Sequence, residues 1–152
     1  MDEITFLAEG LKALNNAAVD LVLKGEYDDA ERAFKTVEDM SRLFCYEEGV
    51  GMARVSLANL SMIRGNISEA VDHIETAIEY FPSGDGKEEA YALQKKISIA
   101  ALEAGIEKER SGDLKGALEL FEKIIHILNE KRAELVAAEI KNIKQYLGNG
   151  EE

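Results

Sequence analysis

Two histidines, His73 and His126, are the residues of this 152-residue sequence best suited to acid–base chemistry. Asp72 precedes His73 directly and Glu69 stands four residues earlier, which places a carboxylate and an imidazole on one face of a helix. The same residue types are common on solvated helix surfaces, and neither an HExxH motif nor opposed Glu-x-x-His motifs accompany them. We therefore expect no catalytic residue, no metal-binding residue and no cofactor.

The single cysteine, Cys45, stands between Phe44 and Tyr46 at the predicted end of a helix. Free cysteine is among the most buried residue types, whereas a nucleophilic thiolate needs an accessible, electropositive setting. We therefore expect Cys45 to be packed. A single cysteine also excludes an intrachain disulfide and a cysteine-based zinc site.

The glycine-containing segment 83–87 has part of the pattern of a phosphate-binding loop. Phe81 occupies the place of the leading glycine, and Glu88 follows Lys87 where that motif has Ser or Thr. The segment is therefore predicted to be a turn, and the sequence as a whole is not expected to be an enzyme.

The composition is typical of an all-α protein of one domain. Hydrophobic residues make up 46% of the chain, enough for a packed core, and 19 alanines stand against a single proline, Pro82. No apolar run approaches the roughly 18 residues that span a bilayer, and Met1-Asp2-Glu3 lacks the basic start of a signal peptide. We therefore expect a cytoplasmic protein without membrane contact.

The net charge of −12 is unevenly distributed. Residues 1–90 carry 19 acidic and 8 basic side chains, whereas residues 91–147 carry 9 and 10. An acidic surface repels the phosphates of nucleic acid, so no nucleic-acid partner is expected. A basic segment of a protein partner would approach the first 90 residues, unless the acid serves only solubility.

Three glycines, Gly25, Gly65 and Gly112, mark tight breaks between helical stretches. Glycine tolerates the left-handed backbone that ends many helices. Five residues after each glycine comes an alanine, then a larger residue four further on and a third position three beyond it. This i, i+4, i+7 spacing predicts one buried helical face. The three sets are Ala30, Phe34 and Val37; Ala70, Ile74 and Ala77; and Ala117, Phe121 and Ile124.

Two further apolar stripes occupy the ends of the chain. The first contains Ile4, Leu7, Leu11, Leu14, Ala18 and Leu21, and the last contains Val136, Ile140, Ile143 and Leu147. Together with the breaks they predict about seven helices, arranged as antiparallel hairpins with a final capping helix.

The recurring pattern resembles the tetratricopeptide repeat (TPR), a helix A–turn–helix B hairpin of 34 residues with small residues where helices cross. Ala18, Ala58 and Gly105 match the small position of helix A, and the alanines of the three sets match that of helix B. The glycines are 40 and 47 residues apart, so the resemblance is to lengthened repeats.

The resemblance implies a right-handed superhelix of three repeats, residues 3–44, 47–84 and 87–131, with a capping helix at 132–147 and a flexible tail at 148–152. Residues 1–147 would form a single domain. The sequence departs from the family pattern where Arg54 and Ala101 replace a large apolar residue, and where Ser61 and Lys108 replace an aromatic one.

In the family, helix A residues line a concave face that commonly binds peptides or partner helices. The register places eleven residues of this sequence on that face. They are Lys12, Asn15, Asn16 and Val19 in the first repeat; Met52, Val55, Asn59 and Met62 in the second; and Leu102, Ile106 and Glu109 in the third. Asparagine amides can bond an extended backbone and methionines adapt to varied apolar side chains, although the apolar members also suit a core.

The sequence therefore predicts a non-enzymatic adaptor or scaffold that binds a peptide or helix of a partner protein. Two alternatives remain open. The Ile4–Leu21 stripe resembles a coiled-coil seam and would support self-association into a homo-oligomer, although it would equally pack on helix B of the first repeat. The other alternative is a regulatory domain that senses a small ligand between lengthened helices.

Overall fold

The computed structural model describes residues 2–150, with side chains described as far as Gly148. Within that range the chain forms seven α-helices and no strand, which confirms the all-α class. The helices are α1 (Glu3–Leu23), α2 (Tyr27–Leu43), α3 (Glu47–Ile63), α4 (Ile67–Tyr80), α5 (Asp85–Arg110), α6 (Leu114–Ile124) and α7 (Glu130–Gly150), with a 3₁₀ turn at Ile125–Ile127 between the last two.

The helix pairs α1–α2 and α3–α4 fall within the first two predicted repeats. α5 begins at Asp85, two residues before the predicted third repeat, so the segment 83–87 predicted as a turn is helical from Asp85 onward. α7 extends beyond the predicted cap to Gly150, so the first part of the tail expected to be flexible is helical and its last two residues lie outside the described range. Two compact units divide the chain, Met1–Leu93 and Gln94–Glu152, here called the N-terminal and the C-terminal unit. A single domain over residues 1–147 stays a prediction.

The three predicted glycine breaks are built in the same way. Gly25, Gly65 and Gly112 have φ angles of 79°, 79° and 90°. At each turn the glycine N–H donates to the carbonyl three residues earlier, and the next N–H donates to the carbonyl five residues earlier. This pattern satisfies carbonyls that the helix end leaves free, and it requires the left-handed backbone that glycine adopts without a steric penalty.

Cys45 occupies the glycine position of a fourth turn of this kind, between α2 and α3. Its N–H donates to Arg42 O at 3.1 Å and the Tyr46 N–H donates to Ser41 O at 2.7 Å. Cys45 has a φ of 56° and is exposed. The expectation that it is packed was therefore wrong, because its place is set by the backbone turn and not by burial of its thiol.

Replacing Cys45 with glycine is expected to raise the free energy of unfolding by about 1 kcal/mol, because a left-handed residue with a Cβ atom carries a steric cost of that order. Urea unfolding followed by circular dichroism measures the change. Gly65→Ala is the reciprocal control, since a Cβ there meets no atom within 4 Å. It should lower the stability by a similar amount, and an unchanged or reduced stability of Cys45→Gly would contradict the prediction.

The predicted face of the second helix in each repeat is buried. Its nine residues are at most 2% exposed: Ala30, Phe34, Val37, Ala70, Ile74, Ala77, Ala117, Phe121 and Ile124. In the N-terminal unit, Phe34 packs with Ala18 and Ala30 and with Leu57 and Leu60 of α3. The alanines allow this close approach because a larger side chain would fill the space that the ring takes.

The apolar stripe of α1 is used inside the N-terminal unit. Leu11 is buried with Val37 of α2 and Ala53 of α3, and Leu7 and Leu14 pack against them. Ala18 and Leu21 belong to the neighbouring cluster around Phe34, whereas Ile4 is 73% exposed. From Leu7 onward the stripe is therefore core within one chain, which is the second of the two uses that the sequence allowed.

The C-terminal unit is built around Phe121. The ring packs with Ala117, and a Cβ atom on Gly105 of α5 would lie 2.5 Å from its Cε1, so only glycine allows this crossing. Val136 and Ile143 of α7 are buried in the same cluster, and Ile140 and Leu147 pack against it. The capping stripe predicted for α7 therefore covers the end of the α5–α6 hairpin.

Candidate functional site

The predicted binding residues of the first two repeats lie on α1 and α3, which contact each other directly. Lys12, Asn16 and Asn59 are exposed, and Val19 is 40% exposed. Met52, Val55 and Met62 are half-buried. Polar side chains are therefore accessible on both helices, while the methionines and valines lie at the edge of the core.

Asn15 differs from the other predicted amides because it is only 6% exposed. The Ser56 hydroxyl of α3 donates a hydrogen bond to its Oδ1 at 3.2 Å. A buried amide needs such a partner, and this one joins two helices. Asn15 therefore holds α1 against α3, and its carbonyl oxygen is occupied within the chain.

Met52 also has a place in the core, since it packs against the cluster of Leu11, Val37 and Ala53. Of the two uses that the sequence left open for this residue, the structure shows core packing. Its side chain is half-buried, a common place for methionine at the edge of a core.

The three predicted residues of the third repeat, Leu102, Ile106 and Glu109, line one cavity of about 320 Å³ in the C-terminal unit. We call it the α5–α7 cavity. Its other lining residues are Phe121 of α6 and Arg132, Leu135, Val136 and Glu139 of α7. Phe121 and Val136 are 2% and 7% exposed and form its interior, whereas Ile106 and Leu135 are 44% and 67% exposed and form its lips.

One end of the α5–α7 cavity carries two carboxyl groups that interact directly. A hydrogen bond to Glu139, burial and the charge of Glu139 together raise the pKa of Glu109 to about 7. Two carboxylates cannot share a hydrogen bond unless one holds a proton, so the pair behaves as a single acid near neutral pH. Both residues also line a neighbouring hollow of about 510 Å³ with Leu114, Asn142 and Tyr146.

The α7 side of this cavity was not predicted from the sequence, in which Val136, Ile140, Ile143 and Leu147 indicated only a capping stripe. Arg132, Leu135 and Glu139 follow an i, i+3, i+7 spacing of their own, one position before the capping stripe. This second stripe is the feature of the sequence from which a second functional face of α7 could have been predicted.

An ionic network around the buried Glu38 joins α2, α3 and α4 in the N-terminal unit. Arg54 places its Nε 2.5 Å from Glu38 Oε1 and donates from Nη2 to Oε2 at 3.1 Å. Arg42 donates to Glu38 Oε2 at 2.9 Å and to the Tyr80 hydroxyl at 2.6 Å, with its guanidinium 4.7 Å from that ring. Glu38 is 8% exposed, so the network neutralises a charge inside the core.

His73 is part of the same network and not of a solvated surface, which corrects the sequence-based interpretation. Its Nδ1 lies 3.0 Å from Nη1 of Arg54, and because a guanidinium only donates, the imidazole accepts. Burial, with the charge of Arg54 second, lowers the pKa of His73 and keeps the ring neutral. The register of the repeats also predicts His126 on helix B, but it lies exposed in the 3₁₀ turn, because α6 ends at Ile124.

Among the residues that the structure describes, no group of three or more His, Cys, Asp or Glu side chains is arranged to hold a metal ion. None of the helices in this described part combines the length and the apolar character needed to cross a membrane.

No protein-family model matches this sequence, and a search of curated proteins found no match either. The resemblance to the tetratricopeptide repeat therefore stays a prediction based on the residues named above.

Proposed function

We propose that this protein is a non-enzymatic interaction module of TPR-like architecture that binds a segment of a partner protein. The observation that carries the proposal is the α5–α7 cavity, whose interior is apolar and whose lips, Ile106 and Leu135, are exposed. Exposed apolar residues beside an apolar cavity are typical of protein-interaction sites. The superhelix of three repeats and the cytoplasmic location belong to this proposal as predictions.

The size of the cavity favours a protein segment over a small ligand. Pockets for small molecules commonly hold about 300–1,000 Å³ and bury most of the ligand. At about 320 Å³ the α5–α7 cavity is at the lower limit, and Leu135 at its lip is 67% exposed. Such a site suits one or two anchoring side chains of a longer segment, and a small-ligand sensor is the second candidate for it.

The accessible residues of α1 and α3 are the other part of the proposal. Lys12, Asn16 and Asn59 offer exposed hydrogen-bonding groups, and Met62 is half-buried. The excess of acidic side chains in the first 90 residues favours a basic segment there, with an association rate that falls as salt rises.

Selection of a random peptide library on the immobilised protein tests this proposal. Enriched peptides are expected to bind at least about tenfold more weakly to Leu135→Asp and Ile106→Asp, because each places a charge at an apolar lip. The dissociation constants are measured by fluorescence anisotropy on variants whose helicity is verified by circular dichroism.

Ile63→Asp is the matched control, since Ile63 is also an exposed isoleucine, at 55%, but lies in the N-terminal unit. Peptides that respond to Met62→Glu and not to the lip variants would assign binding to α3. A library that yields no enriched peptide, or peptides that bind all these variants equally, would refute the proposed function.

A further inference from the structure

The α5–α7 cavity has opposite charges at its two ends. Glu109 and Glu139 meet at one end, and Arg132 lies seven residues before Glu139 on α7. At 1.5 Å per residue this separation is about 10 Å along the helix axis. Between the charged ends the lining is apolar, with Leu102, Ile106, Phe121, Leu135 and Val136.

Both walls of the cavity are helical faces of the same length. The α5 wall uses an i, i+4, i+7 spacing from Leu102 to Glu109, and the α7 wall uses i, i+3, i+4, i+7 from Arg132 to Glu139. A third amphipathic helix can cover these two faces with its own i, i+3, i+4, i+7 stripe and place one or two of those side chains in the cavity.

We infer that the α5–α7 cavity binds an amphipathic helix of a partner protein whose two-turn apolar stripe ends in a Lys or Arg beside Glu109 and Glu139 and in an acidic residue beside Arg132. The inference rests on the proposed function and adds the chemistry of the bound segment. Charge complementarity selects this occupant because the reversed orientation would place like charges at both ends.

The carboxyl pair gives the binding a dependence on pH. At pH 6 the Glu109–Glu139 pair holds one proton, because the pKa of Glu109 is about 7, and at pH 8 that proton is mostly lost. A Lys or Arg of the partner would replace the proton between the two carboxylates. Binding is therefore expected to release a proton and to become tighter from pH 6 to pH 8.

The other charged and titratable groups around the pair are compatible with this exchange. From α7, Arg132 faces the opposite end of the cavity and Tyr146 lines the neighbouring hollow. At the α5–α6 turn, Lys108 is 3.3 Å from Asp113, so its charge already has a counterpart. The lining residues Leu114 and Phe121 of α6 are apolar.

Three synthetic helical peptides of equal length test the inference. All carry the same two-turn leucine stripe. The first has Glu at the start and Lys at the end, the second has these two residues exchanged, and the third has Gln at the Lys position. The third is made in both sequence directions, so that each of the two charged peptides has its own Gln counterpart.

The first or the second peptide, according to the direction of the bound helix, is expected to bind about fivefold more tightly than its Gln counterpart and than the other charged peptide, as for a partly exposed ion pair. Its affinity should rise by up to about tenfold between about pH 6 and about pH 8, as expected for one proton with a pKa near 7. Isothermal titration in two buffers of different ionisation enthalpy measures the released proton.

Glu109→Gln with Glu139→Gln is expected to remove both the preference for Lys and the dependence on pH, while the leucine stripe still binds. Arg132→Gln should remove the preference for the acidic end and keep the dependence on pH. Circular dichroism and unfolding curves verify that these near-isosteric variants fold.

The outcomes separate this inference from the proposed function. If library-selected peptides bind at the cavity lips but none of the charge patterns matters, or if the double glutamine variant keeps the preference for Lys, the inference is refuted and the interaction module stands. If neither selected nor synthetic peptides bind, both are refuted.

Discussion

Replacing Phe34 with alanine is expected to lower the free energy of unfolding by about 3–5 kcal/mol, the range for truncating a buried aromatic ring. Phe34 is 1% exposed and packs with Ala18, Ala30, Leu57 and Leu60, which come from α1, α2 and α3. The loss of stability has two causes. The free energy gained by burying the ring is lost, and the truncation leaves a cavity that the three helices cannot close.

Phe6→Ala is the matched control, because Phe6 is 74% exposed and loses little on truncation. Both variants are compared with the wild type by urea unfolding. A Phe34→Ala protein that unfolds at the same urea concentration as Phe6→Ala would contradict the packing of the N-terminal unit. Because the chain has two compact units, hydrogen exchange resolved by residue would show whether the loss extends past Leu93.

Replacing Arg54 with methionine is expected to cost about 3 kcal/mol at neutral pH, because it leaves the Glu38 carboxylate buried with one of its two arginines. Methionine keeps much of the length of the side chain, so the loss of charge dominates. Arg32→Met is the control, since Arg32 pairs with Asp29 on the surface, with side chains 76% and 58% exposed, and such pairs contribute under about 1 kcal/mol.

The cost of Arg54→Met depends on pH in a defined direction. Burial would raise the pKa of Glu38, but hydrogen bonds from Arg54 and Arg42 outweigh it, and the pKa is lowered from its ordinary 4.5. The stability that this carboxylate contributes is therefore present above the pKa of Glu38 in the unfolded chain. It is lost as the pH falls through the lower pKa of Glu38 in the folded protein. The difference between wild type and variant should shrink in acid.

Unfolding curves at neutral and at acidic pH measure this difference, and Arg54→Met with Glu38→Gln provides the second variant. Removing the buried charge should recover part of the lost stability at neutral pH. A cost of Arg54→Met that is the same at both pH values, with no recovery in the double variant, would show that Arg54 stabilises the core by packing alone.

The carboxyl pair of the α5–α7 cavity and the Glu38 network show why charge counts say little about sites. Both involve acidic residues, yet Glu38 is neutralised by two arginines inside the core, whereas Glu109 shares a proton with Glu139 at an open cavity. In the sequence, Arg54 is one of the charged residues of α3 and Glu109 is one of those of α5. Which charged side chain each of them meets depends on other helices that are distant in the sequence.

The turns show how much local sequence predicts. Gly25, Gly65 and Gly112 end helices where the spacing predicted, because a left-handed residue at a helix end favours glycine over any other type. Cys45 ends a helix in the same conformation, but no local preference of cysteine indicates it. The end of α7 differs from the predicted one for a related reason, since Gly148 lies within α7 and does not end it.

The amino-acid sequence by itself determined the seven helices, the buried faces of α2, α4 and α6 and the capping stripe of α7. These follow from periodicity and from backbone preferences that act within one or two turns. Only the tertiary structure decided that Asn15 bonds to Ser56, that Arg54 reaches Glu38 and His73, and that Leu102, Ile106 and Glu109 share a cavity with α7. Such contacts depend on the rotation and spacing of packed helices, which helical periodicity alone does not specify.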